Sequence, residues 1–190
     1  MRPEKLTSRF QEALSEAQSL AVGRDHNAID PVHVLASLLA QDGGSIQPLL
    51  QAAGVNSDLL RTRLQQALER LPRLGHATGE VSVSPDLLRL LNLADKLAQK
   101  RGDQFISSEL FVLAACDDKG AGGEALRAAG ARREMLEQAI ERVRGGQKVD
   151  SANAEDQRQA LMSALVVMVK NLSSDETVMT TSNVEKQAAS

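Results

Sequence analysis

Histidine and cysteine are the residues of this sequence best suited to metal binding or covalent catalysis. The chain has three histidines, His26, His33 and His76, and one cysteine, Cys116. Zinc sites and thiol catalysis need such residues at defined spacings, and these four are scattered. One cysteine cannot form a disulfide within the chain, and its apolar surroundings predict a buried, unreactive thiol. We therefore expect no metal site and no nucleophilic cysteine.

A glycine-rich segment at residues 120–123 is the next candidate, because glycine-rich loops can cradle phosphates. Its sequence is Gly-Ala-Gly-Gly, and it lacks the lysine and hydroxyl residue with which a P-loop binds phosphate and magnesium. The sequence contains no P-loop elsewhere. No serine, histidine and acid set has local support as a catalytic triad. We predict that the chain is not an enzyme on its own and needs no cofactor.

The composition predicts a folded protein with an aliphatic core. Of the 190 residues, 42% are hydrophobic and only 2% are aromatic, without any tryptophan or tyrosine. Such a core suits packed helices, and apolar residues recur at helical spacing along most of the chain. The fold class that follows is all-α.

Charge and hydropathy exclude two kinds of partner. The formal net charge is −3, and the sequence has no basic block that would bind the phosphates of a nucleic acid. The longest apolar stretch, residues 161–169, is about half as long as a membrane-spanning helix. The amino terminus lacks the apolar segment of a signal peptide. We expect a cytoplasmic protein that binds neither nucleic acid nor membranes.

Capping residues and glycines divide the chain into short helices. Residues that cap helices precede the predicted starts, as at Thr7 and Ser84, and glycine follows the predicted ends, as at Gly54 and Gly102. The predicted helices lie at about residues 7–23, 31–41, 46–53, 57–70, 85–100, 108–117, 123–129 and 132–144. A further helix is expected at about 154–171, and the polar residues after it are expected to be disordered.

The eight predicted helices are four helices repeated twice. A shift of 77 residues aligns Leu14 with Leu91, Ala17 with Ala94, Leu20 with Leu97 and Ile29 with Ile106. A shift of 76 residues aligns 52–54 with 128–130, both Ala-Ala-Gly. Because each repeat is too small to bury its own apolar faces, we expect the two to pack with pseudo-twofold symmetry around one core.

The repeat predicts the domain organisation. Residues 1–146 form one domain, with repeat one at about 1–71 and repeat two at about 82–146. A polar, glycine-containing connector at 72–84 joins them. Residues 147–190 are expected to form a linker, a helix and a flexible tail.

Comparison of the repeats selects two leucines. Leu93 lies at the edge of the apolar face of its predicted helix, and its counterpart in repeat one is Glu16. Leu110 corresponds in the same way to His33. Either these leucines fill the core differently from their counterparts, or Leu93, Leu97 and Leu110 form a small apolar groove for an extended or unfolded peptide.

Several longer segments resemble a known family. These are Leu6-Thr7-Ser8-Arg9-Phe10, Ala17-Gln18-Ser19-Leu20-Ala21, the run from Asp95 to Asp103, and the run from Phe105 to Ala114. They are similar to the N-terminal domain of ClpB-type protein disaggregases, and the resemblance covers roughly residues 1–161. It implies a domain that binds unfolded or aggregated polypeptide and helps to deliver it to a hexameric, ATP-driven threading ring.

The resemblance also implies a set of substrate-binding residues. These are Leu93, Leu97, Leu110, Thr7, Asp103 and Glu109. The three polar residues have structural interpretations as well: a helix cap, a turn residue, and an acid in a first helical turn.

The family pattern also bears on partners. Unfolded or aggregated proteins are the first expectation, with a full-length Clp ATPase or adaptor proteins as alternatives, because related Clp N-terminal domains bind adaptors. After Leu161 the sequence departs from the family pattern. ATP hydrolysis and threading are therefore not expected in this chain.

Overall fold

The structure is a computed structural model that describes residues 2–75 and 80–188, with side chains described as far as residue 174. His76 and part of the predicted connector lie outside the described residues. The helices are α1 (Ser8–Gly23), α2 (Pro31–Ala40), α3 (Ile46–Ala52), α4 (Ser57–Arg70), α5 (Pro85–Arg101), α6 (Ser108–Cys116), α7 (Ala121–Ala128), α8 (Arg133–Arg144) and α9 (Ala154–Ala188). A 3-10 turn at Pro3–Lys5 and the strands β1 (Ala28–Ile29) and β2 (Ser82–Val83) complete the described elements. The predicted all-α class is confirmed.

Local signals explain where these helices begin and end. Thr7, Asn56 and Ser84 cap α1, α4 and α5, and each side chain accepts a hydrogen bond from the backbone N–H three residues later. These bonds satisfy amide groups that have no partner within the helix. At the other end, α5 and α8 stop at Gly102 and Gly145, whose φ angles of 72° and 56° lie in the left-handed region that favours glycine.

Two short parallel pairings interlock the repeats. Ile29 pairs with Val83 between β1 and β2, and Leu6 pairs with Ile106 in a separate bridge. The repeat shift relates Leu6 to Val83 and Ile29 to Ile106, so the same interaction forms twice with the repeats exchanged. The helix contacts follow the same exchange, since α4 packs on α7 and α3 packs on α8. The predicted pseudo-twofold arrangement is therefore confirmed.

The core lies between the repeats and is almost entirely aliphatic. Every residue of α6 is buried, so this helix runs through the interior. Near the centre, the rings of Phe10 from α1 and Phe111 from α6 meet edge to face, with centroids 5.5 Å apart. Burial of each such side chain contributes about 1.5–3 kcal/mol. Cys116 is buried as well, in agreement with the unreactive thiol predicted from its surroundings.

The first compact unit extends beyond the expected domain end at residue 146. It comprises Met1–Asp156, because Val149 and Glu155 are buried at 2% and 3% exposure. Part of the segment that we expected to be a linker therefore belongs to the folded domain.

The second unit comprises Gln157–Ser190. Helix α9 continues to Ala188, so the structure has helix where we expected a disordered tail. The apolar side chains from Leu161 to Leu172 are exposed. Over the described ranges, no helix is long and apolar enough to cross a membrane.

Candidate functional site

A groove in repeat two contains two of the leucines predicted as a binding site. It is lined by Arg89, Leu93, Lys96, Leu97, Lys100, Ala114, Asp117, Asp118, Lys119 and Arg133, and its volume is about 450 Å³. Helix α5 forms one side, and the end of α6 with the start of α8 forms the other. We call these ten residues the repeat-two groove.

The floor of the repeat-two groove is apolar. Leu93 is 39% exposed, in agreement with its position at the edge of the apolar face. Leu97 follows one helical turn later on the same side of α5, where it is partly buried against the core. Ala114 of α6 lies beside them in the lining. An apolar side chain entering this crevice would contact two leucines and a small residue.

Leu110 does not belong to this surface. Its side chain is 0% exposed, so the expectation that it faces solvent is wrong. The physical reason lies in repeat one, where its counterpart His33 is also fully buried. His33 Nδ1 accepts a hydrogen bond from the backbone N–H of Asp30, and its Nε2 lies 2.8 Å from Nδ1 of His26. His33 forms its hydrogen bonds with internal partners and not with water. Its polarity therefore did not indicate that the matching position of Leu110 is exposed.

This histidine pair has a further property that the scattered sequence positions did not suggest. Burial, with the neighbouring His26, lowers the pKa of His33 to about 4. Since His33 Nδ1 accepts from an amide, the proton on its ring is on Nε2 and is donated to His26. Both rings are therefore neutral where the pair is formed.

Asp103 and Glu109 lie in a buried ion cluster. Arg144 Nη1 is 2.8 Å from Asp103 Oδ2, and its Nη2 is 3.1 Å from Glu109 Oε1. Arg144 also donates a hydrogen bond to the hydroxyl of Ser107. All three charged side chains are almost completely buried. The cluster ties the end of α8 to the start of α6.

Thr7 belongs to an adjoining buried cluster around Glu155. Glu155 Oε1 accepts hydrogen bonds from the Thr7 hydroxyl at 2.5 Å and from the Ser108 amide at 2.7 Å. The Ser108 hydroxyl lies 2.8 Å from Oε2. Burial and the charge of Glu109 raise the pKa of Glu155, although the bonds from Thr7 and Ser108 act in the opposite direction. Glu155 thus caps α6, because the side chain of Ser107 at the N-cap position forms no capping hydrogen bond.

The structure therefore separates the six predicted site residues. Leu93 and Leu97 line the repeat-two groove, whereas Leu110 lies in the core. Thr7, Asp103 and Glu109 meet in the buried clusters, where each has an internal structural partner. Substrate contact by these three polar residues stays a prediction.

Two arginines on the rim of the repeat-two groove are paired. Arg89 lies 2.7 Å from Asp118 Oδ1, and Arg133 lies 2.9 Å from Asp117 Oδ2. The carboxylate of Asp118 is nearly buried, whereas the other three side chains are about half exposed. These pairs attach the turn after α6 to α5 and α8.

Three lysines on the same rim were not predicted as site residues. Lys96, Lys100 and Lys119 are exposed, and none forms an ion pair in the described part of the chain. Helical spacing could have identified the first two, because they follow Leu93 by three and seven residues on α5. Lys119 lies in the turn after α6, and no local pattern in the sequence places it there.

A corresponding groove exists in repeat one. It is lined by Glu16, Leu20, Ala36, Ser37, Leu39, Ala40, Arg61, Leu64, Gln65 and Leu68, and its volume is about 340 Å³. By the repeat shift, Glu16 and Ser37 replace Leu93 and Ala114. The two crevices therefore overlap in part: the repeat-one lining has six apolar residues against three in repeat two, but at these two matched positions repeat two is the more apolar.

The described residues also bear on metal and thiol chemistry. Within 2–75 and 80–188, no group of histidine, cysteine, aspartate or glutamate side chains could hold a metal ion. Burial, and secondarily the charge of Asp117, raises the pKa of the Cys116 thiol. A raised pKa disfavours the thiolate, which is the reactive form.

Comparison with known proteins identifies relatives of this chain. The ClpB chaperone of Pseudomonas putida is 52% identical over 170 residues, which cover 90% of this chain and 20% of that protein. The ClpB chaperone of Vibrio cholerae serotype O1 is 50% identical over 161 residues, covering 85% of this chain and 19% of that protein. The chain thus spans about a fifth of the length of these curated relatives.

Solved structures have the same fold. The Hsp104 N-terminal domain from Candida albicans superimposes with a TM-score of 0.71 at 20% identity, covering 80% of this chain and 99% of that domain. The ClpV N-domain from Vibrio cholerae gives a TM-score of 0.61 at 22% identity, covering 78% and 90%. A ClpV N-domain in complex with a VipB peptide gives 0.60 at 23% identity, covering 78% and 92%. Residues 5–129 match the Clp repeat (R) N-terminal domain family, and the chain belongs to that family.

Proposed function

We propose that the repeat-two groove binds exposed apolar segments of unfolded or aggregated polypeptides. The observation that carries this proposal is the partly exposed Leu93, which lies beside Leu97 in a crevice of about 450 Å³. Folded clients have buried such segments already, whereas unfolded chains present them to solvent. Removal of apolar surface from water contributes roughly 25 cal/mol per Å², so the groove favours the unfolded form.

The proposed binding is weak and reversible. Two leucines and an alanine offer a small contact area, and the cost of association offsets much of what their burial contributes. A single groove therefore holds a client only briefly. Several copies acting on one aggregate would retain it through avidity.

The relatives support a place for this binding in a larger activity. The curated relatives are ClpB chaperones between four and five times as long as this chain. We propose that the chain acts in the cytoplasm as the substrate-engaging module of a ClpB-like disaggregase. ATP hydrolysis and threading would belong to other modules of such a protein.

Docking of a dedicated adaptor protein is a second candidate function. A ClpV N-domain of similar fold has been seen with a VipB peptide, which supports recognition of one particular protein. The two candidates differ in what they bind. An adaptor is recognised in one specific sequence or fold, whereas a client is recognised through its exposed apolar residues.

Binding of a reduced, permanently unfolded model protein and of its folded form tests the proposal. The wild-type chain should bind the unfolded form and not the folded form. Leu93→Asp should weaken this binding, because it places a charge on the apolar floor. Leu88→Asp is the matched control, since Leu88 lies on α5 with 48% exposure but outside the repeat-two groove.

Equal binding of folded and unfolded forms would contradict the client-binding function. The same conclusion follows if Leu88→Asp weakens binding as much as Leu93→Asp. Circular dichroism should show that both variants keep their helices. Leu110→Glu is unsuitable for this purpose, because a charge at that buried position would disrupt folding as well as binding.

A further inference from the structure

We propose that the repeat-two groove selects apolar segments that carry acidic residues next to their apolar core. This inference rests on the proposed function and adds the chemical class of the preferred substrate. It follows from the charges around the apolar floor, which do not cancel one another.

The carboxylates of the groove are already engaged. Asp118 is nearly buried against Arg89, and Asp117 pairs with Arg133. Each pair removes one positive and one negative charge from the ten lining residues, and the same two arginines also pair with Asp86 and Glu137 outside the lining. Among the ten lining residues, the charged side chains left without an ion pair are all cationic.

That remainder consists of Lys96, Lys100 and Lys119. All three side chains are exposed, and ion pairs to a carboxylate are absent for them within the described residues. Two of the lysines come from α5 and one from the turn after α6, so ammonium groups are contributed from both sides of the groove. Three of the seven lysines of an otherwise acidic chain thus lie around one groove.

The pseudo-symmetry shows that the fold does not require these charges. By the repeat shift, the three lysines correspond to Ser19, Gly23 and Asp42 in repeat one. The repeat-one groove has one cation and one anion in its lining, Arg61 and Glu16. A crevice that shares the counterparts of Leu93, Leu97 and Ala114 therefore forms in repeat one without a cationic rim. The presence of the cationic rim in repeat two points to a ligand with negative charge.

Lysine suits recognition of a charge whose position varies. Its ammonium group is a mobile point charge on a flexible stem, unlike the fixed fork of arginine. Rim charges mainly set association rate and specificity, whereas the apolar floor provides contact with any apolar side chain. Unfolded segments with acidic residues beside an apolar core satisfy both parts of the groove.

Three fluorescein-labelled peptides test this inference. They share one apolar core of leucine and valine, flanked on both sides by glutamate, serine or lysine. Fluorescence anisotropy at low salt should show that the glutamate peptide binds about tenfold more tightly than the lysine peptide, with the serine peptide between them. At high salt the three affinities should converge, because ions screen exposed charges.

Charge reversal identifies the residues responsible. The combined variant has Lys96→Glu, Lys100→Glu and Lys119→Glu, and it should reverse the order of the three peptides. Its matched control has Lys5→Glu, Lys148→Glu and Lys170→Glu, which change the net charge equally at exposed positions outside the groove. The control should keep the preference for glutamate.

The outcomes separate this inference from the function on which it rests. Equal binding of the three peptides, with binding still lost in Leu93→Asp, would overturn the acidic preference and leave the apolar groove intact. Reversal of the order by the control variant would also overturn it. Absence of binding to every peptide would contradict the proposed function itself.

Discussion

The carboxylate of Glu155 accepts a 2.5 Å hydrogen bond from the hydroxyl of Thr7, 148 residues earlier in the chain. Thr7 caps α1, and Glu155 also accepts from the first amide of α6. A single buried carboxylate therefore joins the starts of α1, α6 and α9. Substitution of Thr7 would disturb this junction even if Thr7 never contacts a ligand.

Glu155→Ala should lower the free energy of unfolding by about 1–3 kcal/mol, because it leaves buried donors of Thr7 and Ser108 without an acceptor. Glu155→Gln should lower it less, since the amide oxygen still accepts. Urea unfolding followed by circular dichroism measures both. Equal losses for the two variants would show that the hydrogen bonds are not the cause.

Glu155 should also make stability depend on pH. Its pKa is raised in the folded protein, so the folded state binds the proton more tightly than the unfolded state. The stabilisation that results is complete below the pKa that Glu155 has in the unfolded state. It is lost as the pH rises through the higher pKa that Glu155 has in the folded state. Unfolding measured across this range should show a smaller decline with rising pH in Glu155→Gln than in the wild type.

The buried histidine pair should have the opposite dependence. The pKa of His33 is lowered to about 4, so its neutral form stabilises the fold above the unfolded pKa of about 6.5. As the pH falls from about 6.5 to 4, up to about 3 kcal/mol of stability should be lost at this site. His33→Leu, which copies Leu110 of repeat two, should show a weaker loss over that range. Identical pH profiles for wild type and variant would contradict this assignment.

Arg144→Met should cost about 3–5 kcal/mol, because it leaves the buried carboxylates of Asp103 and Glu109 without their cation. Adding Asp103→Asn and Glu109→Gln to this variant should recover part of the loss. Arg142→Met is the control, since Arg142 is exposed on the same helix. Thermal unfolding compares the variants, and an equally large effect of the control would refute the buried ion cluster as the cause.

Gly123→Ala should destabilise the domain by about 2–4 kcal/mol. A methyl group there would overlap the backbone carbonyl of Asp118 and lie 2.8 Å from the carbonyl oxygen of Ala115. Gly23→Ala is the matched control, because nothing lies within 4 Å of a methyl group at that position. Melting temperatures should fall for the first variant and stay nearly unchanged for the second.

The helices were predictable because their signals are local. Caps such as Thr7 and terminal glycines such as Gly102 mark ends within a few residues, and all eight predicted helices begin and end within two residues of the observed positions. The repeat then specified how those helices pack. The exposure of Leu93 could be predicted because it depends on the position of this residue around the axis of α5.

The errors arose where burial depends on partners far away in the sequence. His33 is polar, but His26 and the backbone of Asp30 satisfy it in the interior, so Leu110 was wrongly expected at the surface. The contact between Thr7 and Glu155 could not be predicted, since no periodic pattern relates positions so distant. A residue type alone does not show whether its partner is water or protein.

The exchanged pairings of Ile29 with Val83 and of Leu6 with Ile106 bear on how this chain acquires its fold during synthesis. The first half emerges from the ribosome before the segments that complete its edges exist. Its helices can form, but their apolar faces must wait for the second half, because neither repeat holds both members of a pairing. Completion of the fold therefore requires that Ile106 has emerged, and a nascent chain stalled between the repeats would expose apolar faces.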